Sequence, residues 1–228
     1  MDKIFDDFMN IYLKFLSKDL IASLDIDSGR SEKAIAEFFR VFIIITDSRF
    51  TAVEKMKVLS DLRNYVNSYV NRGDKELYIK LEEQLNQIIH INSSGKRLDK
   101  LFTSLQNNLS KIVIANVDYK KRFPKTIYFK QSLIEFNNAL SHVFNIYLSE
   151  NKMHTNLERA NTHLHRGALD YYKTIIRDKH NTMSLPQKEH LMEIRLIEYG
   201  TVGHNVKYTT DCPKQDLVDL YKSFATGL

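Results

Sequence analysis

A row of ionisable side chains recurs through residues 155–180, and its residue types suit the chemistry of phosphate. The row is spaced by four, three, four, three and four residues, so a helix would present it on one face: Arg159, His163, Arg166, Asp170, Lys173 and Arg177. A guanidinium group offers planar donors that match a phosphate, and an imidazole gives or takes a proton near neutral pH. Together these groups could cleave RNA without a metal, since one moves the 2′-hydroxyl proton and another stabilises the charged phosphate.

His163 and His165 are alternative candidates for the proton transfer. His163 follows Arg159 by four residues and shares its face, whereas His165 joins an apolar flank of the predicted helix. We expect Arg159 and Arg166 to hold the phosphate. Three further residues extend the phosphate-binding row: Lys173, Arg177 and His180. This chemistry requires no metal and no cofactor, and the two histidines would not ligate one ion because residues two apart on a helix point to opposite sides.

The same row also fits an ordinary solvated helix face. Asp170 is placed to pair with Arg166 and Lys173, which lie four and three residues away. Exposed ion pairs of this kind are common on helices and contribute little to stability. An anion-binding site and an ion-pair ladder are both open at the level of the sequence.

The segment RANTHLH at residues 159–165 resembles the R-x(4–6)-H signature of the HEPN superfamily. Members of that superfamily are compact antiparallel helical domains, and many are ribonucleases of prokaryotic toxin–antitoxin or antiviral defence systems. The resemblance covers about residues 127–199 and implies Arg159 and His165 as the catalytic pair, commonly with a dimer completing the site. It also implies RNA as the substrate and an endoribonuclease activity that needs no metal.

The same predicted helix also favours a competing function, that of a non-catalytic protein–protein interaction module. Apolar residues occupy two of its flanks, as expected of a helix that lies between several neighbours or at a subunit interface. The first flank holds Leu157, Ala160, Leu164, Ala168, Tyr171 and Ile175, and the second holds Leu169, Tyr172 and Ile176. In this interpretation a partner protein, or a second copy forming a homodimer, binds through residues 155–180.

Helical periodicity dominates the chain and predicts an all-α fold, an antiparallel helical bundle of about eight to nine helices. Gly and Pro number only 7 and 3, too few for the many turns of a β-sandwich or barrel. The predicted helices cover about residues 2–24, 31–46, 51–71, 75–91, 98–116, 127–150, 155–180, 184–199 and 215–224. Three of them open on predicted capping boxes, at Thr51 with Glu54, Thr155 with Glu158, and Ser184 with Gln187.

A basic stretch at residues 117–126 is the predicted boundary between two helical halves, 1–116 and 126–228, with the candidate site in the second half. The stretch contains Pro124 and lacks a helical period, so we expect a loop there, and one continuous domain is the alternative. Its cations are interleaved with aromatic residues: Lys120, Lys121, Arg122 and Lys125 with Tyr119, Phe123 and Tyr128. Such a loop either clamps single-stranded nucleic acid or is a solvated linker that its aromatic rings anchor.

Composition restricts the setting and the partners. The net charge of +5 and the pI of about 9.1 permit an anionic partner such as RNA without establishing one. The single cysteine, Cys212, excludes an internal disulfide and favours a reducing, cytoplasmic location. We expect no membrane attachment, because the N-terminus does not resemble a signal peptide and the longest aliphatic run is far shorter than the roughly 20 residues of a membrane span.

Other residues that could carry chemistry are scattered along the chain. His204, Asp211 and Cys212 lie in a predicted irregular segment, where polar residues are more often structural than metal ligands. His90 and His142 stand in apolar helical contexts, and we expect both to be packing residues. Neither a Gly-rich phosphate loop nor a zinc-binding HExxH motif occurs in the sequence.

Overall fold

The computed structural model describes residues 2–22, 32–69, 99–126, 129–148, 152–201 and 217–228, together with six positions between 76 and 87. These residues form helices, turns and short connections and contain no strand, which confirms the predicted all-α fold. The helices are α1 (Asp2–Ala22), α2 (Glu32–Thr46), α3 (Ala52–Ser68), α4 (Asp99–Arg122), α5 (Lys130–Leu148), α6 (Met153–Lys179), α7 (Leu185–Thr201) and α8 (Leu217–Thr226). A 3₁₀ turn, His180–Thr182, follows α6. Within the described residues, no helix combines the length and the apolar character that crossing a membrane requires.

Some sequence predictions concern positions outside this part of the chain. The predicted helix at 75–91 is described only at its six positions, all of which are helical. His90, Tyr128, His204, Asp211 and Cys212 lie outside the described residues, so the interpretations given for them stay predictions.

Contacts divide the chain into two compact units, each built from two stretches. Unit 1 comprises Met1–Asn107 and Leu133–His163, and unit 2 comprises Asn108–Ser132 and Leu164–Leu228. The divisions fall inside α4, α5 and α6, so the ionisable row of α6 is divided, with His163 in unit 1 and His165 in unit 2. The prediction that residues 1–116 and 126–228 form two separate helical halves stays a prediction.

Unit 1 has a core of aromatic side chains. Here α1, α2 and α3 pack on one another, because α1 and α2 carry apolar stripes at intervals of three and four residues. The ring of Phe8 lies 5.8 Å from Phe38, and that of Phe39 lies 4.8 Å from Phe136 of α5. All four rings are buried. The packing of Phe136 fixes this part of α5 and therefore the backbone of its neighbour Glu135.

A buried lysine stabilises the C-terminal end of α3. Lys18 of α1 donates from its ammonium to the carbonyl oxygens of Val66, Asn67 and Tyr69, at 2.8, 3.1 and 3.4 Å. The last carbonyl groups of a helix have no partner within the helix, and the helix dipole makes that end negative. The ammonium of Lys18 both donates hydrogen bonds to these carbonyl groups and offsets the negative end of the dipole.

Two of the three predicted capping boxes lie where a helix begins, the first with both of its hydrogen bonds and the second with one of them. At α3, Thr51 and Glu54 form both reciprocal hydrogen bonds of the box. At α7, the side-chain oxygen of Gln187 accepts the backbone N–H of Ser184 at 2.9 Å, so that Gln187 closes on the cap residue. The short polar side chains of Thr51 and Ser184 therefore identified the starts of α3 and α7 from the sequence.

The predicted capping box at Thr155 is wrong, because α6 begins earlier than expected. The helix starts at Met153, and the carbonyl oxygen of Lys152 accepts the N–H of Asn156 at 3.0 Å. Thr155 is therefore the third residue of the helix and not its cap. Lys152 has a φ of 67°, a left-handed conformation that few residues other than glycine adopt, and the chain turns there into α6.

The predicted loop at 117–126 is also corrected, because α4 continues as far as Arg122. The helical period persists through the basic stretch: Ile112, Ala115 and Tyr119 are all buried, at intervals of three and four residues. The ring of Tyr119 lies 5.2 Å from the ring of Tyr171 on α6. The three cations of the last turn also favour a helix end, because they offset the negative pole of the dipole.

Candidate functional site

The side chains of His163 and Glu135 form a hydrogen-bonded pair in unit 1. Nδ1 of His163, on α6, lies 2.6 Å from Oε2 of Glu135, on α5. The side chains are 20% and 12% exposed, so the pair is largely buried but still in contact with solvent. A carboxylate at this distance accepts the proton of Nδ1, which leaves the lone pair of Nε2 available to accept another proton. This is the arrangement of an imidazole base that a carboxylate orients.

A second histidine, His142 of α5, stacks on His163. The ring centroids are 5.4 Å apart and the ring planes differ by 17°. Nδ1 of His142 lies 3.1 Å from the side-chain oxygen of Asn156 on α6. His142 is thus a packing residue, as expected, but it packs against an imidazole and an amide where the sequence had predicted apolar neighbours. The stack restricts the rotation of the His163 ring and so fixes the direction of Nε2.

Arg159 supplies a positive charge one helical turn before His163. Its side chain is exposed on α6 and has no ion-pair partner among the described residues. Residues four apart on a helix have Cβ atoms roughly 6 Å apart, so the long guanidinium side chain reaches the surroundings of His163. Arg159 and His163, two of the predicted catalytic residues, therefore share one face of unit 1.

Sequence reasoning did not find Glu135, His142 or Asn156 as members of this cluster. Glu135 and His163 are 28 positions apart, and no spacing rule within a single helix relates them. The one available signal was a carboxylate between two apolar residues, Ile134 and Phe136, on a predicted helix. A buried or half-buried acid usually has a partner, but the sequence did not show which residue that partner would be.

His165, the third predicted catalytic residue, lies in unit 2 and is half-buried. Burial of its ring lowers the pKa of His165 below the ordinary value of 6.5, and the positive charges of Lys111, Arg166 and Lys173 lower it further. The neutral imidazole is therefore the form that this environment favours near neutral pH. Because its pKa is lowered, the neutral imidazole of His165 is also a weaker proton acceptor than an ordinary histidine.

The lowered pKa of His165 predicts a specific pH dependence of stability. The unfolded chain takes up this proton more readily than the folded chain does, so stability is fully present above about pH 6.5 and falls as the pH drops below it. In His165→Gln, which cannot titrate, we expect a smaller loss of stability between pH 7.5 and pH 5. Urea unfolding of both proteins at several pH values measures the difference. Parallel pH profiles for the two proteins would contradict the assignment.

The four predicted phosphate-binding residues occupy different environments in unit 2. Arg166, Arg177 and His180 are exposed. The ammonium of Lys173 instead donates to the carboxylate of Glu198 on α7 and lies 5.5 Å from the ring centroid of Tyr221. Burial raises the pKa of Glu198, but the hydrogen bonds from Lys173 and Tyr221 outweigh it and lower the pKa overall. Lys173 thus joins α6 to α7 and α8. The exposed side chains of Arg166, Arg177 and His180 are better placed than Lys173 to bind an anion.

The apolar flanks of α6 are buried within the chain. Both flanks contribute buried residues: Ala160, Leu164, Ala168, Leu169, Tyr171, Tyr172, Ile175 and Ile176. These side chains are not on the surface, so a partner protein that binds α6 would meet its polar face. A homodimer through residues 155–180 stays a prediction, and substitution of Leu169 by a charged residue would disturb the core.

Comparisons with known proteins do not indicate a function, so the functional proposal depends on the geometry of the site. In the described part of the chain, no group of three or more His, Cys, Asp and Glu side chains is arranged to hold a metal ion. No protein-family model matches the sequence, and searches of curated proteins and of solved structures give no significant match. The resemblance to HEPN proteins therefore rests on the motif at residues 159–165 alone.

Proposed function

We propose that this is a HEPN-like helical protein that binds RNA and cleaves it without a metal ion, in a prokaryotic toxin–antitoxin or antiviral defence system. The observation that carries the proposal is the 2.6 Å pair of His163 and Glu135 one turn after the exposed Arg159. A proton acceptor beside a fixed positive charge is what attack by a 2′-hydroxyl on its own phosphodiester requires. The defence role is taken from the resemblance of the motif.

In the proposed reaction, His163 acts as the base and Glu135 as its positioning residue. Nε2 of His163 removes the proton of the 2′-hydroxyl, and the 2′-oxygen forms a bond to phosphorus. The bond from phosphorus to the 5′-oxygen breaks, and the leaving oxygen takes a proton from water. Glu135 holds the Nδ1 proton and stabilises the imidazolium that forms, while Arg159 offsets the charge of the phosphate. The products are a 2′,3′-cyclic phosphate and a 5′-hydroxyl.

The experiment that tests this function is incubation of the purified protein with a mixed tRNA and mRNA sample in EDTA at low salt. Gel shift reports binding, and gel electrophoresis with end-group analysis reports cleavage. We expect fragments that end in a 2′,3′-cyclic phosphate. Absence of both a shift and cleavage at low salt, where electrostatic binding is strongest, would overturn the proposal. A shift without cleavage would remove the enzymatic part of it.

The competing function, an interaction module, is favoured by a different helix from the one expected. Four large apolar residues of α7 are between 61% and 70% exposed: Leu185, Met192, Leu196 and Tyr199. Their spacings of seven, four and three residues place them on one face. An exposed apolar stripe of this kind marks a surface for another protein chain.

If α7 mediates self-association, Met192→Asp with Leu196→Asp should lower the mass of the assembly while leaving the helical content unchanged. Light scattering after size exclusion, with circular dichroism alongside, measures both quantities. Glu189→Asp with Glu193→Asp is a control that places aspartate at two other exposed positions of the same helix without altering the apolar stripe. A monomeric wild-type protein at high concentration would contradict self-association through α7.

A further inference from the structure

The basic C-terminal turns of α4 and α6 lie side by side in unit 2. Nη2 of Arg122 lies 2.7 Å from Oδ2 of Asp178, and Nε of the same guanidinium lies 3.0 Å from that oxygen. One turn earlier, the hydroxyl of Tyr172 donates to Oδ2 of Asp118 at 3.1 Å. These two contacts, between residues more than 50 positions apart, hold the two helix ends together. The sequence had placed their cations in two unrelated segments.

We call residues 118–125 and 177–180 the basic junction. It contains six cations, Lys120, Lys121, Arg122, Lys125, Arg177 and Lys179, together with His180. Its two carboxylates are both occupied: Asp178 by Arg122, and Asp118 by Tyr172 and by Lys121 at 3.1 Å. Four positive charges are left over, in a chain whose total net charge is +5. Most of the excess charge of the protein is thus concentrated at one place.

The two aromatic residues of the junction, Tyr119 and Phe123, pack on one another and are buried and half-buried, respectively. Tyr119 is buried, and its ring lies 4.7 Å from the ring of Phe123 and 5.3 Å from that of Phe129. The turn after α4 is also fixed by the backbone, because Phe123 accepts the N–H of Thr126 at 3.0 Å. The rings therefore anchor the turn and do not offer themselves to bases. For the described rings, this favours the anchored-linker interpretation over stacking on single-stranded nucleic acid, and Tyr128 lies outside the described residues.

We propose that the basic junction binds the phosphate backbone of RNA without reading its bases. Multiple cations held on two packed helix ends match the repeated charges of a polyanion, whereas the packed rings leave no platform for base recognition. This inference rests on the proposed function and deepens it by naming the surface that supplies affinity. The residues of the junction are separate from the His163 and Glu135 pair, so affinity and cleavage can be tested independently.

The test compares two triple variants with the same change of charge, both in a His163→Ala background so that the RNA stays intact. The first is Lys120→Gln, Lys121→Gln and Lys125→Gln, and the control is Lys33→Gln, Lys57→Gln and Lys188→Gln. All six lysines are exposed. The Kd for a labelled RNA of mixed sequence is measured by fluorescence anisotropy over a range of salt concentrations. Thermal unfolding shows whether each variant is folded.

We expect the junction variant to bind RNA about 10- to 100-fold more weakly at low salt, and the slope of log K against log salt to become shallower by about 2. The control should keep most of the affinity. Equal affinities and slopes for the two variants would overturn the proposal, as would anionic lipid vesicles that bind the junction more tightly than RNA does. If the junction variant loses RNA binding and the wild-type protein binds RNA without cleaving it, the result would support the role of the junction and contradict only the catalytic proposal.

Discussion

Replacement of His163 by alanine should reduce the rate of RNA cleavage by about 10²- to 10⁴-fold, the usual contribution of a positioned general base. The loss follows from the proposed mechanism, in which Nε2 of His163 accepts the proton and Glu135, 2.6 Å from Nδ1 on the other side of the ring, orients the imidazole. RNA binding should change little, since neither His163 nor Glu135 belongs to the basic junction. Cleavage in EDTA and binding by anisotropy, measured on the same preparation, separate the two effects.

His154→Ala is the matched control for this experiment. His154 lies on the same helix, α6, and is exposed, so its loss changes the same type of side chain without touching Glu135 or His142. Glu135→Gln should give a smaller loss than His163→Ala, because the imidazole remains while its orientation and its preferred tautomer are lost. Equal activity in His163→Ala and His154→Ala would contradict the role of His163 and would return attention to His165.

Replacement of Lys18 by methionine should lower the free energy of unfolding by about 2–3 kcal/mol. The methionine keeps most of the apolar stem of lysine but removes the ammonium that the carbonyl oxygens of Val66, Asn67 and Tyr69 share. The carbonyl oxygen of Val66 would keep the backbone N–H of Tyr69 as a donor, but those of Asn67 and Tyr69 would lose the ammonium and lie beside an apolar side chain. Removing a hydrogen-bond donor from acceptors at a part-buried helix end is costly. Urea unfolding monitored by circular dichroism measures the change.

Lys57→Met is the control for the lysine experiment. Lys57 lies on α3 and is exposed, so the substitution removes the same charge without removing a buried hydrogen bond. Its free energy of unfolding should stay within about 0.5 kcal/mol of the wild-type value. A Lys18→Met protein that is as stable as Lys57→Met would show that water satisfies the end of α3 and that the ammonium is dispensable.

Local features of the fold were predictable from sequence where their causes are local. The stripes of α1 and α2 recur every three or four residues, and the capping box of Thr51 and Glu54 is a four-residue pattern, so both could be identified without a structure. The continuation of α4 through Tyr119 was missed although its period was present. The clustered cations and Pro124 resembled a loop, and the packing of Tyr119 against Tyr171 outweighed them.

The site was predictable only in part, because its decisive contacts join different helices. The spacing of Arg159 and His163 was visible in the sequence, and the structure places them on one face in unit 1. The partners of His163, which are Glu135 and His142, come from α5 and required tertiary packing to be recognised. Lys18 shows the same limit: a lysine in an amphipathic helix normally indicates a solvated position, and only the neighbouring helix end explains its burial.

A single substitution in the substrate tests whether His163 removes the proton of a 2′-hydroxyl, as we propose. The wild-type protein is incubated in EDTA with an RNA oligonucleotide that it cleaves and with the same oligonucleotide carrying a 2′-deoxy nucleotide on the 5′ side of the cleaved bond. We expect cleavage of the first at that bond, with a 2′,3′-cyclic phosphate end, and no cleavage of the second there. Equal cleavage of both would show attack by water and would contradict the proposed mechanism.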